Sequence, residues 1–337
     1  MQTAVVILNY NGKFFLEKFL PKVLQFTPNA DVIVADNAST DDSVAFLQEK
    51  FPTLPLILLP QNYGFSKGYN EALRTISPEQ YTFLLLLNSD VEPTAEWLEP
   101  LENFMQQNPQ VAACQPKIKA YHEPQKFEYA GAAGGMLDKY GFAFCRGRIF
   151  DSTETDTQQY ETNTPVFWAT GACMMVRTEA FWKVGGFDDD FFAHMEEIDL
   201  CWRLHSIGYE IYYVANSTIF HVGGGTLAQG SPRKTFLNYR NNLAMIVKNY
   251  PTTIGLIRLL LIRFLLDFVA LIRFLSKKDT KQATAIFKAY WHFYKKFGFW
   301  REKRRNTLKS KNSLAKIFPK SIVWLYFVRG KKKASLL

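Results

Sequence analysis

The eight residues FLLLLNSD, Phe83 to Asp90, decide how this chain is built. An apolar run stops abruptly at three small polar residues, Asn88, Ser89 and Asp90. Phe83–Leu87 has the length of a strand buried on both faces, as in a parallel sheet covered by helices. Ligands of open parallel sheets bind just beyond the carboxyl ends of the strands. The Asp90 carboxylate is therefore expected where a ligand sits. Asn88 and Asp90, two apart in extended chain, point to the same side. That pairing suits one group on a sugar hydroxyl and one on a metal ion bridging phosphates. Taken alone, the triplet reads more readily as a solvated Asx turn; its neighbours change the balance.

Upstream, Thr3–Leu8 reads as a first buried strand, broken by Asn9-Tyr10-Asn11-Gly12. Phe14–Gln25 reads as an amphipathic helix, and Asp31–Ala35 as a second strand running into Asp36-Asn37-Ala38-Ser39-Thr40-Asp41. A helix over Asp42–Lys50, a third strand at Leu56–Leu59 and a glycine-bearing loop over 61–70 (QNYGFSKGYN) that opens a helix lead to the FLLLL strand. This cadence predicts an α/β fold with right-handed crossovers and a doubly wound sheet. Three strand ends then bring Asn9, Asp36 and the Asn88/Asp90 pair to one rim. Asp36 suits a nucleotide, because a carboxylate accepts from a uracil-type N3–H or a ribose hydroxyl; a helix N-cap within DNAST is the other reading. Gly64 and Gly68 stand where backbone approaches a phosphate or another loop closely. The stretch is neither the dinucleotide fingerprint nor a Walker loop.

Downstream, an amphipathic helix is expected between Pro93 and Gln107, loops over 121–160 with part of an acceptor site, a strand over Phe167–Val176 and a helix from Thr178. A second constellation lies in FFAHMEEIDLCWRL, 191–204. Its apolar spacing places a helix start near Glu196, so Glu196 and Glu197 share a first turn where the macrodipole favours anions. One carboxylate there could act as general base while the other orients a partner. Asp199 and Arg203 form a plain i,i+4 pair. Strand segments Tyr209–Val214 and Ser217–His221 bring His221 in front of Gly223-Gly224-Gly225, glycines that would let a segment close over the site. A lone histidine after a strand is more often structural, but neutral imidazole is a common ligand for divalent metals, and Asp90 needs company. Arg240, in FLNYRNN, could reach a diphosphate.

The 337 residues suffice for a catalytic body over 1–250 and a tail over 251–337. A hydrophobic content of 47% excludes global disorder. Cys114, Cys145, Cys173 and Cys201 show no metal-ligand rhythm and read as buried thiols of a reducing compartment. The start, MQTAVVILNY, enters a strand at once, so no secretory signal is expected. Charge is divided: residues 251–337 hold 21 Lys and Arg against 3 Asp and Glu, the rest of the chain 19 against 28. Thr253–Leu275 is long enough to tempt a membrane-spanning assignment, yet Arg258, Arg263, Asp267 and Arg273 interrupt it on one half of the helix. Each charge at a bilayer centre costs roughly 2.5–3.5 kcal/mol. A helix lying in the interface, its other half among acyl chains, is favoured; a helical layer packed on the body with a solvated basic face is the competing reading. No recognisable nucleic-acid module accompanies the basic residues, and nucleic acid is not expected as a partner.

Jointly, VVILNYNG (5–12), ADNASTDDS (35–43), NYGFSKGYN (62–70), LLLNSD (85–90), GACMMVR (171–177), GGFDDDFF (185–192), EEIDLCWRL (196–204) and HVGGGT (221–226) resemble glycosyltransferase family 2. The resemblance spans about residues 3–245 and is nearest to the rhamnosyltransferase-like branch, of GT-A fold. It implies inverting transfer from a nucleoside-diphosphate sugar, helped by a divalent cation (Mg²⁺ or Mn²⁺), to a hydroxyl of a lipid-linked glycan acceptor. The setting implied is bacterial cell-surface polysaccharide synthesis by a cytoplasmic protein peripheral on the inner membrane's cytoplasmic face. Carried over by position, Asn9 and Asp36 hold nucleobase and ribose. Asn62, Gly64, Lys67, Gly68, Asn88, Ser89 and Arg240 complete the donor site, Asp90 and His221 take the metal, and Glu197 is the base with Glu196 beside it. Asn88 replaces a more frequent aspartate, which would weaken the metal site. Tyr69 stands where many members carry an arginine facing the diphosphate, leaving Lys67 or Arg240 for that role. A catalytically inactive carbohydrate-binding or scaffold protein that kept the fold is the alternative.

Overall fold

Alternate residues of the FLLLL strand enter two different cores. Leu84 and Leu86 pack into one cluster, Phe83, Leu85 and Leu87 into the other. Only a strand with helices on both faces divides its side chains in this way. The structure, a computed structural model, describes residues 2–76, 79–223 and 230–337. In chain order it opens with β1 (Thr3–Asn9), α1 (Lys13–Gln25), β2 (Asp31–Asp36), α2 (Ser43–Lys50) and β3 (Leu56–Leu58). Then come α3 (Gly64–Arg74), β4 (Phe83–Asn88), β5 (Val91–Pro93), α4 (Glu99–Gln107) and β6 (Val111–Ala120). A separate small sheet follows, made of β7 (Gly135–Leu137), β8 (Ala143–Cys145), β9 (Arg148–Ile149) and β10 (Ser152–Thr153). The main sheet resumes with β11 (Thr164–Val166), β12 (Cys173–Arg177), α5 (Thr178–Lys183), α6 (Glu196–Ser206) and β13 (Glu210–His221). The chain ends in helices α7 (Pro232–Asn249), α8 (Thr253–Ser276), α9 (Thr280–Lys295), α10 (Phe297–Asn306) and α11 (Ile322–Phe327).

The main sheet runs β11-β13-β6-β12-β4-β1-β2-β3, with β5 also on β13. Strands β1–β4, β6 and β13 share one direction; β5, β11 and β12 oppose it. Leu16, Leu20 and Val23 of α1 with Leu101 and Met105 of α4 cover one face; Tyr69 and Leu73 of α3 with Ile198 and Trp202 of α6 cover the other. This is the doubly wound, mostly parallel α/β sheet expected of the GT-A class. All four cysteines are buried and free, as expected.

Five local expectations are corrected. Most of 61–70 is helix rather than loop, because α3 begins at Gly64 and Asn62 Oδ1 accepts the Gly64 N–H at 2.9 Å. The helix expected from Pro93 starts only at Glu99, since Glu92 and Pro93 pair with Phe220 and Ile219. The region 121–160 holds the small sheet; strands of two or three residues are too short for a period of two to register. Of the strand expected over 167–176, only the part from Cys173 is strand, and it runs on to Arg177. The two segments ending at His221 are one strand, β13, with a register shift between Val214 and Thr218.

The tail packs on the body as a helical layer. Trp300 lies edge-on to Phe191, and Arg304 Nη1 donates to Val247 O at 2.8 Å. No helix among the described residues is long and apolar enough to cross a membrane.

Candidate active site

Parallel register brings the polar strand ends level: Asn9 faces Asp36, and Leu8 faces Asn88. Asn9 Nδ2 donates to Asp36 Oδ2 at 2.9 Å, and the Ser39 amide and hydroxyl complete that carboxylate's partners at 2.8 and 2.7 Å. Asp36 is therefore locked in place by its own turn and does not cap α2, whose N-cap is Asp42. Asn9 Oδ1 is buried without a hydrogen-bond partner among the described residues. Beside it, Gly12 has no room for a side chain: a Cβ there would lie 2.3 Å from Asn9 Oδ1 and 3.3 Å from Ser89 Oγ. A buried acceptor without a donor, on a rim of strand ends, is a place where a ligand's donor would be accommodated.

Asn37 ties this rim to α3. Its Nδ2 donates to Gly64 O at 3.0 Å and Asn62 Oδ1 at 3.2 Å, while its Oδ1 accepts the Tyr63 amide. Gly64 has φ +76°, and a Cβ on it would sit 2.7 Å from the Phe192 carbonyl. The close approach expected of Gly64 is thus to another loop: Phe65 N donates to Phe192 O at 2.7 Å. Gly68 lies equally close to Asn37 and Leu8. Lys67 Nζ stands 4.7 Å over the Tyr63 ring. Tyr69 is fully buried, its hydroxyl donating to Leu87 O at 3.1 Å, so it belongs to the core.

Beyond β4 the chain presents a buried polar chain of contacts. His221 Nε2 lies 3.1 Å from Asp90 Oδ1 and 3.4 Å from Asn88 Nδ2. Behind the ring, Glu128 Oε2 is 3.5 Å from Nδ1, at the edge of hydrogen bonding. Burial alone would lower the His221 imidazole; the Asp90 and Glu128 carboxylates override it and push it up to about 10. Burial would raise Asp90, but His221 beside it holds the carboxyl below its usual range. Of the glycines expected to follow, Gly223 stands against Glu128, whereas Gly224, Gly225 and Thr226 lie outside the described residues.

Glu196 and Glu197 open α6 after an unusual loop. Phe192, His194 and Met195 all have left-handed backbone, with φ of 66°, 70° and 74°. Such residues are costly and persist only where surroundings over-determine them. Here Asn241 of α7 donates to the Phe191, Ala193 and His194 carbonyls at 2.9, 2.9 and 2.7 Å. Arg240 Nη2 adds bonds to the Asp190 and Phe191 carbonyls, so its guanidinium braces this loop. Glu196 is buried and Glu197 half-buried, and each has one oxygen without a partner among the described residues. Burial raises Glu196 well above the carboxylate range, with the Glu197 charge adding to it. Burial also pushes Glu197 up to about 7, against the helix's first N–H groups and the Lys234 ammonium. The Lys234 charge acts on both Glu128 and Glu197, with no ion pair to either among the described residues. Asp199 and Arg203 are the structural pair expected, at 2.8 Å and joined by Lys248 and Asn249.

Glu128, Lys234, Asn37, Ser39 and Asn241 were not legible as site residues. Glu128 lies in the region read as loops. Lys234 follows Ser231-Pro232, an N-cap and N1 pair that signals a helix start; Ser231 Oγ indeed accepts the Lys234 amide at 3.3 Å.

Residues 4–185 match the family model described as Glycosyl transferase family 2. The chain is 27% identical over 233 residues to the N-acetylglucosaminyl-diphospho-decaprenol L-rhamnosyltransferase of Mycobacterium tuberculosis, covering 64% of this chain and 75% of that one. It is 24% identical over 220 residues to rhamnosyltransferase WbbL of Escherichia coli, covering 62% of this chain and 79% of that one. The mannosyltransferase PcManGT from Pyrobaculum calidifontis, solved in complex with GDP-Man and Mn²⁺, shares the fold with TM-score 0.51 at 15% identity. That match covers 94% of this chain and 85% of the other, tail helices included. With its two-faced sheet and its polar rim, this chain belongs to glycosyl transferase family 2, beside the rhamnosyltransferase-like branch.

Proposed function

We propose that the protein transfers a sugar, with rhamnose the first donor sugar to try, from a nucleoside diphosphate to a hydroxyl of a lipid-linked glycan, with inversion at the anomeric carbon. The observation that carries this reading is Glu197, half-buried in the first turn of α6 after a braced loop, with one free oxygen and a carboxyl raised to about 7. Such a group takes a proton from an acceptor hydroxyl near neutral pH, and the hydroxyl attacks the sugar from the face opposite the departing diphosphate. Glu196, buried beside it with its own carboxyl raised by burial, shapes its neighbour's environment. Asn9 Oδ1 would accept from the nucleobase and Asp36 would hold the ribose. Asn62, Asn88 and Ser89 would line the donor side and Lys67 would face the diphosphate, while Gly64, Gly68 and Arg240 hold the surrounding loops in place.

A divalent cation fits the residues present. Asp90 Oδ1, in the turn between β4 and β5, and His221 Nε2, at the end of β13, lie 3.1 Å apart, and a cation would replace the proton they share. Glu128 stands 3.5 Å behind the ring's Nδ1, the position carboxylates take behind metal-bound histidines. Among the described residues no set of three or more His, Cys, Asp or Glu is arranged for a metal. Asp90 and His221 would thus hold the ion jointly with donor phosphates, the usual arrangement for Mg²⁺. Bound there, the cation supplies Lewis-acid neutralisation of the departing diphosphate.

The acceptor's lipid and the apolar outer face of α8 support a peripheral site of action on the cytoplasmic face of the inner membrane. The decisive test is Glu197→Gln in a transfer assay with labelled donor. Turnover should fall about 10²–10⁴-fold, while thermal stabilisation by donor and Mn²⁺ stays at the wild-type value. Wild-type turnover would remove the assignment. Donor binding without transfer in the wild type, for every acceptor tried, would favour the inactive scaffold, for which Asn88 is the best argument.

A further inference from the structure

Helix α8 buries an ion pair beside two leucines and exposes much of its apolar surface, with Arg258 and Arg273 also exposed. A surface helix ordinarily buries its apolar stripe and exposes its charges. Here the buried positions are Leu256, Leu259, Arg263 and Asp267, while Ile254, Leu261, Leu265 and Val269 are 62–69% exposed. The inward polar side is bolted down. Arg263 Nη2 pairs with Asp267 Oδ2 at 3.1 Å, and Nη1 donates to Asn242 Oδ1 at 2.6 Å and Tyr140 O at 3.2 Å. Tyr290 of α9 donates its hydroxyl to Asp267 at 2.7 Å. The helix cannot roll its apolar side inward without unpairing these buried groups, which is strongly unfavourable.

The outward face continues across two neighbours. Trp291 of α9 is 58% and Trp324 of α11 57% exposed. Phe264 packs edge-on to Tyr290, and the Arg273 guanidinium lies 4.8 Å over the Phe327 ring, joining α8 to both. Tryptophan beside long aliphatic residues is the composition of a membrane interface. Exposed lysines Lys277, Lys278 and Lys281 border the face at the α8–α9 turn, within a segment holding 21 basic against 3 acidic residues.

We propose that this α8–α9–α11 face seats the protein in one leaflet of an anionic bilayer, its apolar side chains among the acyl chains and the bordering lysines at the headgroups. The charge selects the occupant: a second copy of the chain would set this basic layer against its own like, whereas anionic lipid complements it. The proposal rests on the peripheral location given above and identifies the surface responsible. The same layer is tied to α7, because Gln282 Nε2 of α9 donates to Gly230 O, just before that helix, whose Asn241 holds the loop leading to Glu197. A lipid-linked acceptor would therefore be met at the surface where its lipid resides.

The test is flotation of the full chain with phosphatidylglycerol/phosphatidylethanolamine vesicles and with phosphatidylcholine vesicles, together with sedimentation and transfer to a water-soluble acceptor. The wild type should float with the anionic vesicles at least about ten-fold more than with the neutral ones. The triple change Leu261→Asp, Leu265→Asp and Val269→Asp should abolish flotation and leave transfer to the soluble acceptor unchanged. A second variant, Lys277→Glu with Lys278→Glu, should lower flotation without touching the apolar face. Flotation of the triple variant at the wild-type level, no flotation of the wild type, or a wild-type dimer that the triple variant splits would each overturn the proposal. Failure of the wild type to transfer sugar to any acceptor would strike the enzymatic reading and leave the flotation result standing on its own.

Discussion

Asn241→Ala should disable the enzyme without touching a substrate. Asn241 is fully buried, and its amide holds three carbonyls of the loop that delivers Glu197. Three non-glycine residues of that loop are left-handed; at about 1–3 kcal/mol each, the loop stores on the order of 3–9 kcal/mol of backbone strain. Removing the amide orphans buried carbonyls at about 1–3 kcal/mol apiece. Strain of that size then has fewer restraints against it, and the loop relaxes. A shift of the base by about 1 Å costs roughly 10²-fold in rate. The expected result is a kcat lowered about 10²-fold with donor affinity unchanged, measured by steady-state transfer and calorimetric titration of the donor. Asn249→Ala provides the control. It sits on the same helix and loses bonds to Asp199 at 2.8 Å and Met245 O at 3.0 Å, but does not touch the loop. It should lower Tm comparably and leave kcat close to wild type. If Asn241→Ala keeps wild-type kcat, or if Asn249→Ala loses as much, the loop is not held by Asn241 in the way the contacts imply.

Four further outcomes are expected. The rate kcat/KM should rise with pH through an apparent pKa near 7, the value to which burial pushes Glu197, and Glu197→Gln should lack that limb. Because the raised pair favours the protonated fold, its contribution to stability should decline as pH rises from the ordinary carboxylate range through about 7, which urea titrations at several pH values would detect. Gly12→Ala must displace Asn9, whose Oδ1 lies 2.3 Å from the new Cβ; donor affinity should drop about ten-fold, ~1.4 kcal/mol, and unchanged affinity would dismiss the role of Asn9. Burial alone would raise Asp188, but Lys248 and Lys303 hold it below its usual range, so its stabilisation is present at neutral pH and lost as pH falls. Lys303→Met should then move the acid-unfolding midpoint to higher pH, read by circular dichroism; an unmoved midpoint would mean Lys303 adds nothing to that pair.

The rim of the site was legible because each of its members ends a strongly apolar strand. Asn9, Asp36, Asn88 and Asp90 announce themselves by where hydrophobicity stops, and the structure sets Asn9 against Asp36 as parallel register requires. Glu197 was legible from the carboxylate pair opening a helix. Glu128 was not, since the short strands around it carry no periodicity. Nor was Asn241, an asparagine inside an amphipathic helix whose importance lies in three carbonyls some fifty positions earlier.

The sequence by itself determined the order of the first four strands and their helices, the two-faced burial of the sheet and the polar rim, because period, run length and turn residues are local properties. Only the tertiary structure decided that His221 stands between Asp90 and Glu128, residues 131 positions apart in the first case, and that Asn241 holds the loop before Glu197. It also decided which side of α8 turns inward. The pattern of that helix divides polar from apolar but is silent on direction. The direction came from Arg263 and Asp267 finding Asn242, Tyr140 and Tyr290, partners that pattern alone cannot locate.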